Sequence, residues 1–176
     1  MINQKFLACM PLFLGISLPG CALQEKLSFG VEDPCASLQN IVADYDSGFA
    51  SYRGKGSSFN AVTVFRAKEQ IISGHCEIWA WANNDSAYNC STKAPNEEVA
   101  KVIYEKSIAS IGQCMGNAWT QEPETRRIRD GKAAGVATRF ATQDANKPGI
   151  AVHRVDYRND NSVYVYIGPT SRLDYF

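Results

Sequence analysis

The sequence has few of the features by which catalytic and cofactor-binding sites are recognised. Its 176 residues contain only two histidines, far apart, and no Cys-x-x-Cys pair, so a zinc site built on either pattern is not expected. The chain also has no Gly-rich phosphate-binding loop, no Gly-x-Ser-x-Gly motif and no His-Glu-x-x-His motif. The sequence therefore predicts neither a cofactor nor a metal ion.

An excess of charge of one sign is also absent. The 18 basic residues equal the 18 acidic residues, which gives a formal net charge of +0 and a pI near 6.7. Proteins that bind nucleic acid by general electrostatics carry a basic excess, so we do not expect a nucleic-acid partner. Basic and acidic residues are interspersed along the chain, a pattern typical of a folded domain and not of a disordered one.

Long apolar runs are missing except near the N-terminus. Lys5 precedes an apolar run, Phe6 to Leu18, which is too short to span a bilayer and has the form of a signal peptide. Small residues then lead to a cysteine in the motif Leu18-Pro19-Gly20-Cys21. This motif resembles the lipobox of bacterial lipoproteins.

The lipoprotein resemblance implies a signal peptide over residues 1–20 and a lipid-anchored linker over 21–33. Cys21 is then acylated, as by palmitate, and becomes the mature N-terminus, with several acyl chains making the anchor stable. Because Ala22 and not Asp follows the cysteine, the resemblance implies the outer membrane, with the protein facing the periplasm. The alternative is cleavage after Ala22 at a small-x-small site, which would give a soluble periplasmic or secreted protein.

Four cysteines remain once Cys9 leaves with the signal peptide and Cys21 is acylated. They are Cys35, Cys76, Cys90 and Cys114. In an oxidising compartment four cysteines favour two disulfides, and three connectivities are possible.

Residues 34–176 are predicted to form one α+β domain built from two αβββ repeats, at about 34–92 and 96–168. The Asn/Asp-rich segments 82–88 and 158–164 match as hairpin turns, and 62–67 matches 136–141 as the preceding strand. Helical patterns over about 34–52 and 96–116 precede the strands, the second opened by Asn96 as an N-cap. Two such units predict an antiparallel sheet with both helices on one face. This plan is loosely similar to that of β-lactamase inhibitory proteins.

The predicted topology selects one of the three disulfide connectivities. Cys76 and Cys90 lie symmetrically about Asn83 of the Asn83-Asn84-Asp85 turn, so they should oppose each other across a hairpin. Cys35 opens the first helix and Cys114 is near the end of the second, and these ends meet if the helices are antiparallel. We therefore expect Cys76–Cys90 and Cys35–Cys114 bridges.

Symmetric pairing about each turn also predicts which side chains share a sheet face. It places the tryptophans and valines, namely Trp79, Trp81, Val155, Val163 and Val165, beneath the helices. It leaves Tyr88, Arg154, Tyr164 and Tyr166 on the open face, where Tyr and Arg are typical of protein-binding hot spots. The alternative is an ordinary solvated strand surface. A register shift of one residue would exchange the faces and expose Trp79 and Trp81.

Two further groups contain residue types that act in catalysis or in anion binding. Glu77 and His153 fall at matching positions of the repeats and are the candidate acid–base pair for a hydrolase. Arg126, Arg127 and Arg129 could bind a carboxylate or phosphate. Acidic neighbours, Glu122, Glu124 and Asp130, favour a solvated loop instead.

The function that these observations favour is non-enzymatic binding. We expect an envelope lipoprotein that inhibits, or confers immunity against, a toxin or hydrolase by binding it through the open face. The alternatives are a structural lipoprotein that binds a secretion or assembly component, and a hydrolase using Glu77 and His153.

Overall fold

A computed structural model describes residues 32–127, 131–158 and 160–175. The signal peptide, the linker up to residue 31 and Cys21 therefore lie outside the described residues. Within the described residues, two α-helices each precede four β-strands, and a 3₁₀ helix follows the last strand. The bounds are α1 Pro34–Ala43, β1 Arg53–Phe59, β2 Val62–Ala67, β3 His75–Trp81, β4 Ser86–Lys93, α2 Glu97–Met115, β5 Thr120–Arg127, β6 Ala133–Ala141, β7 Gly149–Val155, β8 Ser162–Gly168 and the C-terminal 3₁₀ helix Thr170–Tyr175.

The strands form one eight-stranded antiparallel sheet in the order β1-β2-β3-β4-β8-β7-β6-β5. The predicted α+β class and antiparallel sheet are confirmed. The prediction of three strands after each helix is wrong, because four strands follow each helix. The additional strands, β1 and β5, are the two edges of the sheet. Their sequences, RGKGSSF and TQEPETRR, lack the apolar alternation of a strand with one buried face, and nearly all of their residues are exposed.

Helix α2 begins and ends at the residues that its sequence indicates. The Asn96 side chain accepts a hydrogen bond from the backbone N–H of Val99 at 2.9 Å, and Gly116 caps the C-terminus with a φ of 67°. These are the usual N-cap chemistry and the usual glycine at a helix end.

Helix α1 ends at Ala43, nine residues before the predicted end at Tyr52. The Asp44 carboxylate accepts hydrogen bonds from Ser47 Oγ at 2.7 Å and from the Ser51 N–H at 3.0 Å, which folds the following residues into 3₁₀ turns. Aspartate side chains that bind nearby backbone N–H groups compete with the helix in this way.

Both expected disulfides are present. Cys35 and Cys114 join the start of α1 to the end of α2 with their Cα atoms 4.9 Å apart. Gln39 reinforces this junction by donating a hydrogen bond to the Cys114 carbonyl at 2.7 Å. Cys76 and Cys90 are directly paired across β3 and β4.

The helices cover one face of the sheet and form the main core there. Helix residues Leu38, Ile41, Val42 and Ile111 pack with sheet residues Ile78, Tyr88, Ile150, Val152, Val163, Val165 and Ile167. None of the described helices is both long and apolar enough to cross a membrane.

The face assignment of the second hairpin is wrong by one residue. In the first hairpin the Trp81 N–H bonds the Asp85 carbonyl, so three residues form the turn, and Asn84 is left-handed with a φ of 68°. In the second hairpin Tyr157 pairs with Asp160, which leaves two residues between them. Symmetric matching of the two turns therefore puts β8 out of register with β3, β4 and β7. The predicted burial of Trp79, Trp81 and Val155 beneath the helices is wrong, because these residues lie on the opposite face of the sheet.

The shorter turn exchanges the faces of β8, because neighbouring strand residues point to opposite sides. Val152 lies opposite Val165, not Tyr166 as expected. Val163 and Val165 consequently join the core beneath the helices, as predicted, but beside Tyr88 and not beside the tryptophans. The remaining β8 tyrosines, Tyr164 and Tyr166, share the opposite face with Trp79 and Trp81.

Candidate binding surface

The candidate surface is the open face, which we define as the sheet face turned away from both helices. Strand register places alternate residues of each strand on it. Its aromatic and polar members include Trp79, Trp81, Glu77, Asn89, Tyr164, Tyr166, His153, Arg139 and Glu124. The C-terminal 3₁₀ helix packs against part of it.

The four residues predicted to contact a partner do not form one surface. Tyr88 is 0% exposed in the core, and its hydroxyl donates a hydrogen bond to the Glu69 carbonyl. Arg154 lies on the helix side with a 13% exposed side chain and is paired with Glu97 at 3.1 Å. Tyr166 is on the open face but 0% exposed. Of the four, Tyr164 alone is both on the open face and partly exposed.

Burial accounts for the failure of Tyr88 and Tyr166 as contact residues. The Tyr166 hydroxyl donates a hydrogen bond to the Pro169 carbonyl at 3.2 Å, at the start of the C-terminal segment. Burial also raises the pKa of both phenols above the ordinary 10.0. Both tyrosines are structural residues, because neither side chain is exposed to a partner.

A tryptophan patch, which we define as Trp79, Trp81 and Arg172, takes the place of the predicted tyrosine surface. The two indole rings meet edge to face with their centroids 6.1 Å apart, and both remain partly exposed. An apolar strip continues from them across the two neighbouring strands through Val64, Val62 and Phe59, the last being 60% exposed.

Arg172 reaches this patch from the C-terminal 3₁₀ helix. Its guanidinium lies over the Trp81 ring, 4.2 Å from the centroid, and donates from Nε and Nη2 to Asp85 at 3.1 and 3.0 Å. Hydrogen bonds from Asn83 and Arg172 lower the pKa of the Asp85 carboxyl. The ion pair fixes the arginine on the indole face.

Glu77 holds the other tryptophan of the patch. Its carboxylate accepts hydrogen bonds from Trp79 Nε1 at 3.0 Å and from His75 Nε2 at 2.8 Å. Burial acts to raise the pKa of Glu77, but the hydrogen bonds from Trp79 and His75 outweigh it, so the pKa lies below its ordinary 4.5. Glu77 is thus a positioning group for the indole at neutral pH.

The C-terminal 3₁₀ helix is held to the sheet by Leu173. This side chain is 4% exposed and forms a small cluster with Ala87, Ala151 and Tyr166. Leu173 packs closely on Gly149 of β7, where an added Cβ would lie 2.7 Å from Leu173 Cδ1.

A second concave region, the arginine cleft, lies at the other end of the open face. It has a volume of about 440 Å³ and is lined by Glu124, Arg126, Arg127, Ala137, Arg139, His153 and Leu173, together with Thr125. Arg126 and Arg127 belong to strand β5, so their expected placement in a loop is wrong. Arg129 and Asp130 lie outside the described residues.

The proposed acid–base pair is not assembled. Glu77 is on β3 and His153 is on β7, and strands β4 and β8 lie between them. Three strand spacings place the two residues at least about 14 Å apart, too far for the proton transfer that a joint general acid–base role requires. Within the described residues, no group of three His, Cys, Asp or Glu side chains is arranged to hold a metal ion.

Sequence reasoning missed Arg172, Leu173 and Arg139. The segment Thr170–Tyr175 has no strand alternation and is too short for a helical pattern. Its one available signal is an arginine–leucine pair shortly after Pro169. Arg139 gave no separate signal because it is a single charged residue in the mostly apolar sequence of β6.

Comparison with known proteins adds no family to this description. No protein-family model matches the chain, and neither a curated protein nor a solved structure is similar enough to count as a match. The loose similarity in plan to β-lactamase inhibitory proteins therefore has no support beyond the order of elements.

Proposed function

We propose that the protein is a non-enzymatic binding protein of the cell envelope that inhibits or neutralises a protein partner through the tryptophan patch. The observation that carries this proposal is the rigid cluster of two indoles and one guanidinium on a sheet face that the helices leave uncovered. Tryptophan and arginine are among the residues most enriched in binding hot spots. We further propose that the successive helix-plus-strand units derive from duplication of one unit.

The patch favours binding because its side chains are already ordered. Glu77 fixes the Trp79 indole, and Asp85 fixes Arg172 against the Trp81 ring. Side chains that are held in place before association lose less conformational entropy when a partner docks. The apolar strip beside the patch adds contact area at the same end of the sheet.

The occupant that suits this surface is a folded protein with a complementary apolar patch and polar groups at its border. The apolar strip supplies area for desolvation, and the ion pair of Arg172 with Asp85 supplies polar contacts beside the indoles. An inhibited toxin or hydrolase and an assembly component of the envelope both fit this description. The identity of the partner distinguishes them.

Affinity capture from envelope extract, combined with a matched pair of variants, tests this proposal. The exported protein is compared with Trp79→Ala, Trp81→Ala and with Val99→Ser, Val102→Ser, whose valines are 38% and 48% exposed on α2. Loss of a central anchor is expected to cost about 2 kcal/mol or more, which is roughly a 30-fold weaker Kd.

The proposal requires a stoichiometric partner whose affinity falls in the tryptophan variant and is kept in the valine variant. Far-ultraviolet circular dichroism and thermal unfolding confirm that both variants are folded. Equal retention by both variants would place binding elsewhere. A partner whose own toxic or hydrolytic activity is blocked identifies an inhibitor, whereas an unaffected structural protein identifies an assembly role.

A further inference from the structure

We propose that the arginine cleft is a separate site for an oxyanion, a carboxylate or a phosphate group. The cleft lies on the open face between β5, β6, β7 and the C-terminal 3₁₀ helix, beyond the tryptophan patch. Its volume of about 440 Å³ is within the range of roughly 300–1,000 Å³ that is typical of ligand pockets. This inference does not depend on the protein-binding role proposed above.

The charge that lines the cleft is uneven, although the whole chain is neutral. Arg126, Arg127 and Arg139 bring three guanidinium groups to its lining, against one carboxylate from Glu124, and Glu122 adds a second carboxylate beside the cleft, opposite Arg139 in the register. Guanidinium groups present paired N–H donors whose spacing matches the two oxygens of a carboxylate or phosphate. The excess of positive charge therefore favours an anion over a cation or a neutral ligand.

The cleft already contains one example of the proposed contact. Arg139 Nη2 lies 2.6 Å from Glu124 Oε2, and register places these residues on neighbouring strands of the open face. Arg127 is anchored by a hydrogen bond from its Nη1 to the Gly131 carbonyl at 2.8 Å. Glu124 thus both orients Arg139 and competes for it with an incoming anion.

The floor of the cleft supports a polar ligand. Ala137 lies between Glu124 and His153 in the sheet register, and its short side chain leaves the space that the cleft occupies. The imidazole of His153, which is 3% exposed, contributes a polar ring to the floor. Leu173 forms an apolar wall and ties the cleft to the C-terminal 3₁₀ helix.

Two sources can supply the oxyanion: a diffusible molecule, or acidic side chains of a protein. The test titrates ¹⁵N-labelled exported protein with sodium citrate, inorganic phosphate and a hexaglutamate peptide at constant ionic strength. Amide resonances of β6 and β7 are followed by NMR. Saturation by citrate or phosphate identifies a diffusible anion, and saturation by hexaglutamate alone identifies acidic side chains.

Four variants locate the site. Arg127→Gln and Arg139→Gln are expected to raise the Kd at least tenfold. Glu124→Gln is expected to lower the Kd several-fold, because it removes the competing carboxylate, and a gain of affinity cannot arise from misfolding. Arg66→Gln is the matched control, since Arg66 lies on the same face at the opposite end of the sheet. Its affinity should be unchanged.

Two results would overturn the inference. One is the absence of saturable shifts with all three probes in the millimolar range. The other is binding that weakens equally in Arg66→Gln and Arg127→Gln, since that pattern reflects general charge and not this cleft.

Discussion

Leu173 is expected to control both the stability of the fold and the environment of Tyr166. Leu173→Ala removes the largest aliphatic side chain from a small cluster in which four residues are buried. Buried Leu→Ala substitutions cost about 2–5 kcal/mol, and the value rises with the cavity that remains. Because this cluster lies under a single 3₁₀ turn, the turn can relax, so we expect the low end, about 2 kcal/mol. The corresponding fall in Tm is about 4–8 °C, at roughly 2–4 °C per kcal/mol.

The second readout is the ionisation of Tyr166. Burial raises the pKa of this phenol above 10.0, so it stays protonated when exposed tyrosines ionise. Loosening the C-terminal 3₁₀ helix should hydrate the ring and lower its pKa towards the ordinary value. An ultraviolet absorbance titration of the folded protein should then detect one additional tyrosine ionising together with the exposed ones.

Ser171→Ala is the matched control for Leu173→Ala. Ser171 is exposed on the same turn, and its substitution should change stability by no more than about 0.5 kcal/mol. If Leu173→Ala behaves like this control in both assays, the C-terminal 3₁₀ helix does not cover Tyr166 in solution. The packing described for this end of the open face would then be refuted.

Three further outcomes follow from the same structure. Replacing both cysteines of the Cys35–Cys114 disulfide by alanine should lower the free energy of unfolding in urea by about 4.5 kcal/mol. The same change at Cys76–Cys90 should lower it by about 3 kcal/mol, because that disulfide closes a shorter loop. The reverse order would contradict loop closure as the cause. Gly168→Ala should cost about 1–3 kcal/mol in thermal unfolding, because its Cβ would lie 2.6 Å from the Tyr166 hydroxyl. Folding lowers the pKa of Glu77, so the ionised carboxylate stabilises the folded protein at neutral pH. This stabilisation is lost as the pH falls below 4.5 and through the folded-state pKa. A step in tryptophan fluorescence over that pH range should be present in the unchanged protein and absent in Glu77→Gln.

The parts of the fold that sequence predicted are those with a strong local signal. Asn96 and Gly116 delimit α2 through cap chemistry that depends on a few neighbouring residues. Cys76 and Cys90 could be paired because they lie at equal distances in sequence from Asn83, the centre of the intervening turn. These features need no knowledge of the rest of the chain.

The edge strands could not be predicted for a physical reason. A strand buried on one face alternates apolar and polar residues, whereas β1 and β5 are exposed on both faces and pair on one side only. Edge strands carry charges and proline that limit aggregation, as Pro123 does in β5. The same residues resemble a loop in sequence, and this is why Arg126 and Arg127 were assigned to one.

The prediction of the candidate surface depended on whether the turn of the second hairpin has two residues or three. The sequence segments 82–88 and 158–164 have similar composition, yet one makes a three-residue turn and the other a two-residue turn. Composition does not distinguish these turns, because both segments are rich in Asn and Asp, which favour turns of either length. The difference determines whether Tyr164 and Tyr166 or Val163 and Val165 lie beneath the helices.

The C-terminal 3₁₀ helix connects the two proposed sites of the open face. Its Arg172 lies on the tryptophan patch and its neighbour Leu173 forms a wall of the arginine cleft, so displacement of this turn changes both sites together. The two sites are coupled if an anion in the cleft stabilises the docked position of this turn. The anion then strengthens binding of the partner at the tryptophan patch, and the partner strengthens binding of the anion by the same free energy. Because Leu173 packs on the sheet beside Gly149 and Tyr166, apolar packing sets the docked position together with the Arg172–Asp85 ion pair. The part of the coupling that apolar packing carries should persist at salt concentrations that screen surface ion pairs, and a coupling lost with salt would assign it to Arg172 and Asp85 instead.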